Sequence, residues 1–186
     1  MQTVLTKVKL GQKFSYGGMG WIKLEDKDGM TLALAECAIF TSMFTYITVK
    51  DIGQYNDWKN SLLRQRLNGV FFENLVNNAT KDNNGYDDFC EMTVDLTSDD
   101  GVIEYGKTVD KIALISCKQY RKYRKLIPNC SKMWWTVTPH AHRANRCLSY
   151  VNVVGASGAL SNEYVDYERC GVRPLCNLKS NISVWQ

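Results

Sequence analysis

The segment Trp21-Ile-Lys-Leu-Glu25, followed by Asp28-Gly29 and then Thr31-Leu-Ala-Leu-Ala35, constrains the fold more than any other. Two runs of strand-forming residues flank a dipeptide suited to a tight left-handed turn, which predicts a β-hairpin and hence antiparallel pairing. Around it, Val4 to Leu10 alternates as a strand, and Gly17-Gly-Met-Gly20 reads as a turn. Trp58, Leu62, Leu63 and Leu67 recur at helical spacing, predicting a helix that ends near Gly69. Val70 to Val76 reads as a second short helix, Asn77 to Asp88 as a polar loop and Lys111 to Ser116 as a buried strand. A further helix is expected over Lys118 to Leu126, stopped by Pro128. The last fifty residues read as strands and turns: Trp134 to Thr138, Leu148 to Val154, the turn Gly155 to Gly158, and Val172 to Leu175. No repeat or linker interrupts this pattern. The expectation is one α+β domain over residues 1–186, mostly antiparallel sheet with two or three short helices.

Composition excludes several classes. Ten Tyr, six Phe and five Trp are too many for a solvated, disordered chain. No run approaches the ~20 apolar residues of a membrane span, and the N-terminal residues lack the apolar block of a secretion signal. An intracellular, cytoplasmic protein with no membrane partner is therefore expected. The seven cysteines, Cys37, Cys90, Cys117, Cys130, Cys147, Cys170 and Cys176, are odd in number and contain no Cys-x-x-Cys pair. Reduced thiols are expected, with Cys37 a small core residue.

Net charge is only +4, but it is segregated. Residues 82–110 hold nine carboxylates and one lysine, whereas residues 111–146 hold nine Lys or Arg and no acid. The two blocks either pair with one another or leave a one-signed surface suited to phosphates or an acidic protein.

Several ordered segments resemble an uncharacterised domain family of gut Firmicutes, their phages and mobile elements. They are Trp21-Ile-Lys-Leu with Leu32-Ala-Leu, Trp58 to Asn68, Asp110 to Ser116, Tyr120-Arg-Lys-Tyr123, Trp134 to Pro139 and Gly171-Val-Arg-Pro-Leu175. The resemblance implies a C-type-lectin-like fold, similar to phage tropism determinants and to the formylglycine-generating-enzyme class, in which the N-terminal strands pair with the C-terminal strand around Ile182 to Trp185 and the Leu62 to Leu67 helix packs on that sheet. It implies a scaffold with a variable ligand-binding face and no reaction. The copper-binding cysteine motif of the formylglycine class is missing here, as are the Glu-Pro-Asn and Trp-Asn-Asp signatures of calcium-dependent lectins. No cofactor is expected.

Read from the residues themselves, Trp134 and Trp135 should face opposite sides of one strand, one in the core. Arg173 should bond loop carbonyls. Leu62, Leu63 and Leu67 should pack inward while Arg64 and Arg66 are solvated or paired. His140-Ala-His142 could share one face of a strand as metal ligands with Cys147 or Cys170, but exposed loop histidines and no metal are the expectation. No nucleophile motif surrounds a cysteine, so neither a catalytic residue nor an enzyme is expected.

The sharpest feature is a basic stripe. Lys118, Arg121, Lys122 and Lys125 fall at i, i+3, i+4 and i+7, while Tyr120, Tyr123 and Ile127 occupy another face that should pack inward. With Arg143 and Arg146 as neighbours, these six residues form the candidate binding surface for DNA, RNA or an acidic protein face. Size, charge and resemblance together lead to an expected binding protein of phage or mobile-element origin. The expectation is an intracellular, anti-CRISPR-like inhibitor that binds a host protein or nucleoprotein, such as a CRISPR nuclease or its nucleic acid. The alternative is a lectin-like module recognising a ligand or receptor on behalf of a phage particle. The lack of a tail-attachment or trimerisation segment favours the former.

Overall fold

A computed structural model describes residues 1–47, 55–80, 85–141 and 149–186. The Asp28-Gly29 turn forms as expected, with φ of 52° and 75°. It joins β3 (Met19–Lys27) to β4 (Met30–Ala35) in antiparallel register, with a bulge between Lys23 and Glu25. Glycine at the second turn position carries the left-handed backbone without steric cost. β1 (Gln2–Val4) and β2 (Lys13–Tyr16) precede this hairpin. The expected strand over Val4 to Leu10 stops at Val4, because Leu5–Lys7 winds into a 3₁₀ turn. That turn buries Leu5 and Val8 and donates the Leu5 and Thr6 amides to the carbonyls of Ile182 and Ser180. Alternating polarity fits a strand, but a turn tied to the far end of the chain satisfies the same residues.

β5 (Phe40–Thr41) leads toward the helical region. There the single expected helix breaks into a 3₁₀ turn (Trp58–Asn60) and α1 (Leu62–Arg66), because the Ser61 hydroxyl accepts from the Arg64 amide and starts a new helix. Leu63 and Leu67 are buried, whereas Leu62 is half-buried. A π turn over Leu67–Phe71 loses helical dihedrals at Gly69 and continues as α2 (Phe72–Ala79). The segment expected to be a polar loop is thus helical through Ala79 and again, as a 3₁₀ turn, over Gly85–Asp88. β6 (Phe89–Cys90), β7 (Met92–Asp95), β8 (Lys107–Asp110) and β9 (Ile112–Leu114) follow, then α3 (Cys117–Tyr123). The chain closes through β10 (Trp134–Pro139), β11 (Tyr150–Val154), β12 (Leu160–Tyr164), β13 (Gly171–Val172), β14 (Pro174–Lys179) and β15 (Ser183–Trp185).

These strands build an α+β architecture of mostly antiparallel sheets. The larger sheet runs β1-β15-β2-β3-β4-β14-β6, with β9 also on β14; the smaller runs β12-β11-β10-β13-β5, and β7 pairs β8 separately. β1 lies on β15 (Gln2 opposite Trp185), so the two chain ends meet as expected. The π turn that follows α1 packs against β9, where the Asn68 side chain bonds the Ile112 backbone in both directions. Buried apolar residues from both sheets and the helices form one cluster.

Arg173 sits where the chain leaves the small sheet at β13 and enters the large one at β14. Its fully buried guanidinium donates to the carbonyls of Ala35, Glu36 and Pro128 at 2.7, 2.8 and 3.3 Å, the expected structural role. Trp134 and Trp135 are both buried, which corrects the expectation of a single core tryptophan. β10 is covered on its two faces: Tyr120 meets Trp134 edge-on and Phe44 meets Trp135. Cys37 is exposed rather than a core residue, because β4 ends at Ala35 and the chain turns outward. All six described cysteines are free thiols; Cys147 lies outside the described residues.

Candidate functional site

The basic stripe is mounted on a well-defined helix. Ser116 caps α3 by accepting from the Gln119 amide while the Gln119 side chain accepts from the Ser116 amide, a reciprocal capping box. Tyr120 and Tyr123 are buried beneath the helix, as is Ile127 beyond it, so the inward face is as expected. Lys118, Arg121, Lys122 and Lys125 are all exposed. The α-helix ends at Tyr123, however, and Arg124–Leu126 tightens into a 3₁₀ turn, which takes Lys125 off the α-helical stripe. Arg143 and Arg146 lie outside the described residues.

Two of the four cations are partnered. Arg121 pairs with Asp99 at 3.1 Å, a link between the acidic and basic blocks, and Lys122 pairs with Glu25 at 2.6 Å. The Tyr123 hydroxyl donates to the other Glu25 oxygen at 2.6 Å. The Lys122 ammonium and the Tyr123 hydroxyl together hold the Glu25 carboxyl below its usual range, and the same contact pushes Lys122 up to about 12. Asp95 is also lowered, first by the Thr97 hydroxyl and then by the charges of Lys107 and Lys118. Arg124, which the helical stripe left aside, is tied to the Ile127 carbonyl and the Asn129 side chain.

Between α3 and the β7–β8 pair lies a cleft of about 740 Å³ lined by Lys118, Arg121 and Lys122 together with Glu25, Asp95 and Asp99. Its walls therefore carry both signs of charge, alongside the hydroxyls of Ser98 and Thr138. Periodicity found the cations because they share a helix face. It missed Glu25 and Asp99, which reach them from distant parts of the chain.

His140 is half-buried at the end of β10, not in an exposed loop, and its Nδ1 meets the Asn152 side-chain oxygen at 3.2 Å. Asn152 in turn donates to the Cys117 sulfur at 3.4 Å. A carboxamide thus stands between thiol and imidazole, an order that holds both groups but gives the imidazole no direct access to the thiol proton. His142 and Cys147 lie outside the described residues, and among those described no three His, Cys, Asp or Glu side chains could hold a metal ion. No described helix is long and apolar enough to cross a membrane. No family model matches the chain, and no curated protein or solved structure shows significant similarity to it.

Proposed function

We propose that the chain is a non-enzymatic binding protein of phage or mobile-element origin that engages an acidic partner through the exposed face of α3. The partner in this reading is a host defence nucleoprotein, a CRISPR nuclease or its nucleic acid, which the protein inhibits inside the host cell. The carrying observation is Lys118 on the capped helix α3 and Lys125 on the 3₁₀ turn that follows it, two exposed cations flanking the ion-paired Arg121 and Lys122. A rigid mount keeps these long side chains over a fixed surface, so a phosphate backbone can be met without reordering the fold. The ion pairs at Arg121 and Lys122 reduce the free positive charge, so the partner is gripped by fewer cations than the sequence suggests.

The test is a salt titration of binding to single- and double-stranded RNA and DNA, paired with a nuclease-inhibition assay. Two phosphate contacts give a log–log salt slope of roughly −1.5, at ~0.7–0.9 per contact. The K118E/K125E double variant should lose most binding and inhibition while unfolding like wild type. Wild type that neither binds nor inhibits at low salt removes this reading. A lectin-like recognition module is the second reading. It is supported by the pairing of β1 with β15 and by the Gly171-Val-Arg-Pro corner between the sheets, the features that the family resemblance leads one to expect.

A further inference from the structure

Two thiols line one solvent-open cleft. Cys37 is exposed and Cys130 half-buried, and both line a cleft of about 610 Å³ whose walls are residues 36–41 and 128–132. A single buried cation holds these walls together. The Arg173 guanidinium bonds the carbonyl of Glu36, the residue before Cys37, and that of Pro128, two residues before Cys130. The walls cannot separate without stripping buried hydrogen bonds from that guanidinium. Ala38 of one wall and Met133, next to the other, also meet at Gly171, where an added Cβ would stand 2.7 Å from the Ala38 Cβ and 3.1 Å from the Met133 carbonyl oxygen. Lys132 lines the same cleft, as does Lys13 paired with the Glu36 carboxylate. Both thiols are therefore accessible to a small oxidant, which a buried thiol is not.

The other described thiols do not line this cleft. Cys117, Cys170 and Cys176 are buried, and burial pushes the Cys170 and Cys176 thiols up. Cys90 is half-buried on β6, diagonal to Cys176 on β14.

We propose that Cys37 and Cys130 are a redox-active dithiol that peroxide converts into an intramolecular disulfide. The Cys37 sulfur attacks one peroxide oxygen, an S–O bond forms as the O–O bond breaks, and the departing hydroxide takes the thiol proton as water. Cys130 then attacks the sulfenic sulfur. The S–S bond forms, and the hydroxyl leaves with the second thiol proton as another water. One peroxide is reduced and two thiols are oxidised. The product pins the two walls at a Cα separation of about 4.4–6.8 Å, and a dithiol reductant restores the open form.

The experiment treats the reduced full-length chain with one equivalent of hydrogen peroxide and follows it by intact mass and peptide mapping after alkylation. The expected result is a chain lighter by two hydrogens, with Cys37 linked to Cys130 and the loss reversed by dithiothreitol. Cys37→Ser and Cys130→Ser should each abolish the linkage, while Cys90→Ser leaves it intact. The peptide map of wild type gives the answer even if a variant fails to fold. A linkage joining Cys90 to Cys176, or any pair without Cys37 and Cys130, overturns the proposal. So does a treated chain in which Cys130 remains fully alkylatable.

Discussion

Arg173 is a charged side chain with no exposed surface, and three carbonyls from two separate segments, Ala35–Glu36 and Pro128, depend on it. It also stacks over Trp134, 5.0 Å from the ring centroid. Arg173→Met keeps the volume but leaves those carbonyls without donors, so it should cost about 3–5 kcal/mol in urea unfolding. Arg173→Lys should recover only part of this, because an ammonium cannot span the same three acceptors. Tyr123 separates packing from hydrogen bonding. It is buried, and its hydroxyl bonds Glu25. Tyr123→Ala should cost about 3–5 kcal/mol and Tyr123→Phe about 1 kcal/mol in the same assay. Equal losses for the two variants would mean that the ring contributes nothing. The role of Arg173 was legible in the sequence, since an arginine between valine and proline in a turn has few other uses. Lys23 was not. It sits in a run read simply as a strand, yet its ammonium is buried against the Leu5 carbonyl at 2.8 Å and paired with Asp26.

The hairpin and α3 were readable as elements because their signals are local: a left-handed dipeptide between two strands, and a cap followed by a two-faced helix. Where the reading failed, competing conformations fit the same pattern. Tyr120, Tyr123 and Ile127 are inward-facing whether the last turn is α or 3₁₀, so the tightening after Tyr123 left no trace in the apolar spacing. The ion pairs left none either, because Glu25 lies 97 residues from Lys122 and Asp99 lies 22 from Arg121. The cap gives a direct test of the mount. Ser116→Ala removes the acceptor for the Gln119 amide and should cost about 1 kcal/mol, measured by chemical denaturation. If α3 binds its partner as a rigid face, the same variant should weaken binding less than K118E/K125E does. A larger binding defect in Ser116→Ala would place the recognition surface in the helix's first turn.

Across the whole molecule, strand order was the least legible property, because β14, near the end of the chain, is inserted between β4 and the β6 and β9 strands. Only the β3–β4 hairpin and the closure of the two ends through β1 and β15 were anticipated. The same long-range contacts set how stability depends on pH. Glu25 and Asp95 have carboxyls held low by their hydrogen-bond donors and neighbouring cations. Their contribution is complete above the usual carboxylate range and is lost as pH falls through the lowered folded values. Asp57 works in the other direction: burial raises its carboxyl, so its protonation as pH falls relieves a cost. At the alkaline end, Lys122 is pushed from 10.5 to about 12, chiefly by the Glu25 hydrogen bond, and Tyr123 is raised by burial and by the same carboxylate. Contributions from raised groups are complete below the unfolded values near 10 and are lost as pH rises through the folded values, about 12 for Lys122. Glu25 therefore links both ends of the profile. Glu25→Gln should flatten the acid limb below pH ~4.5 and reduce the loss above pH ~10, with little change in slope between them. Urea unfolding of wild type and Glu25→Gln across that range measures both limbs at once. Parallel profiles would show that the Glu25–Lys122–Tyr123 contact between the hairpin and α3 contributes nothing to the fold.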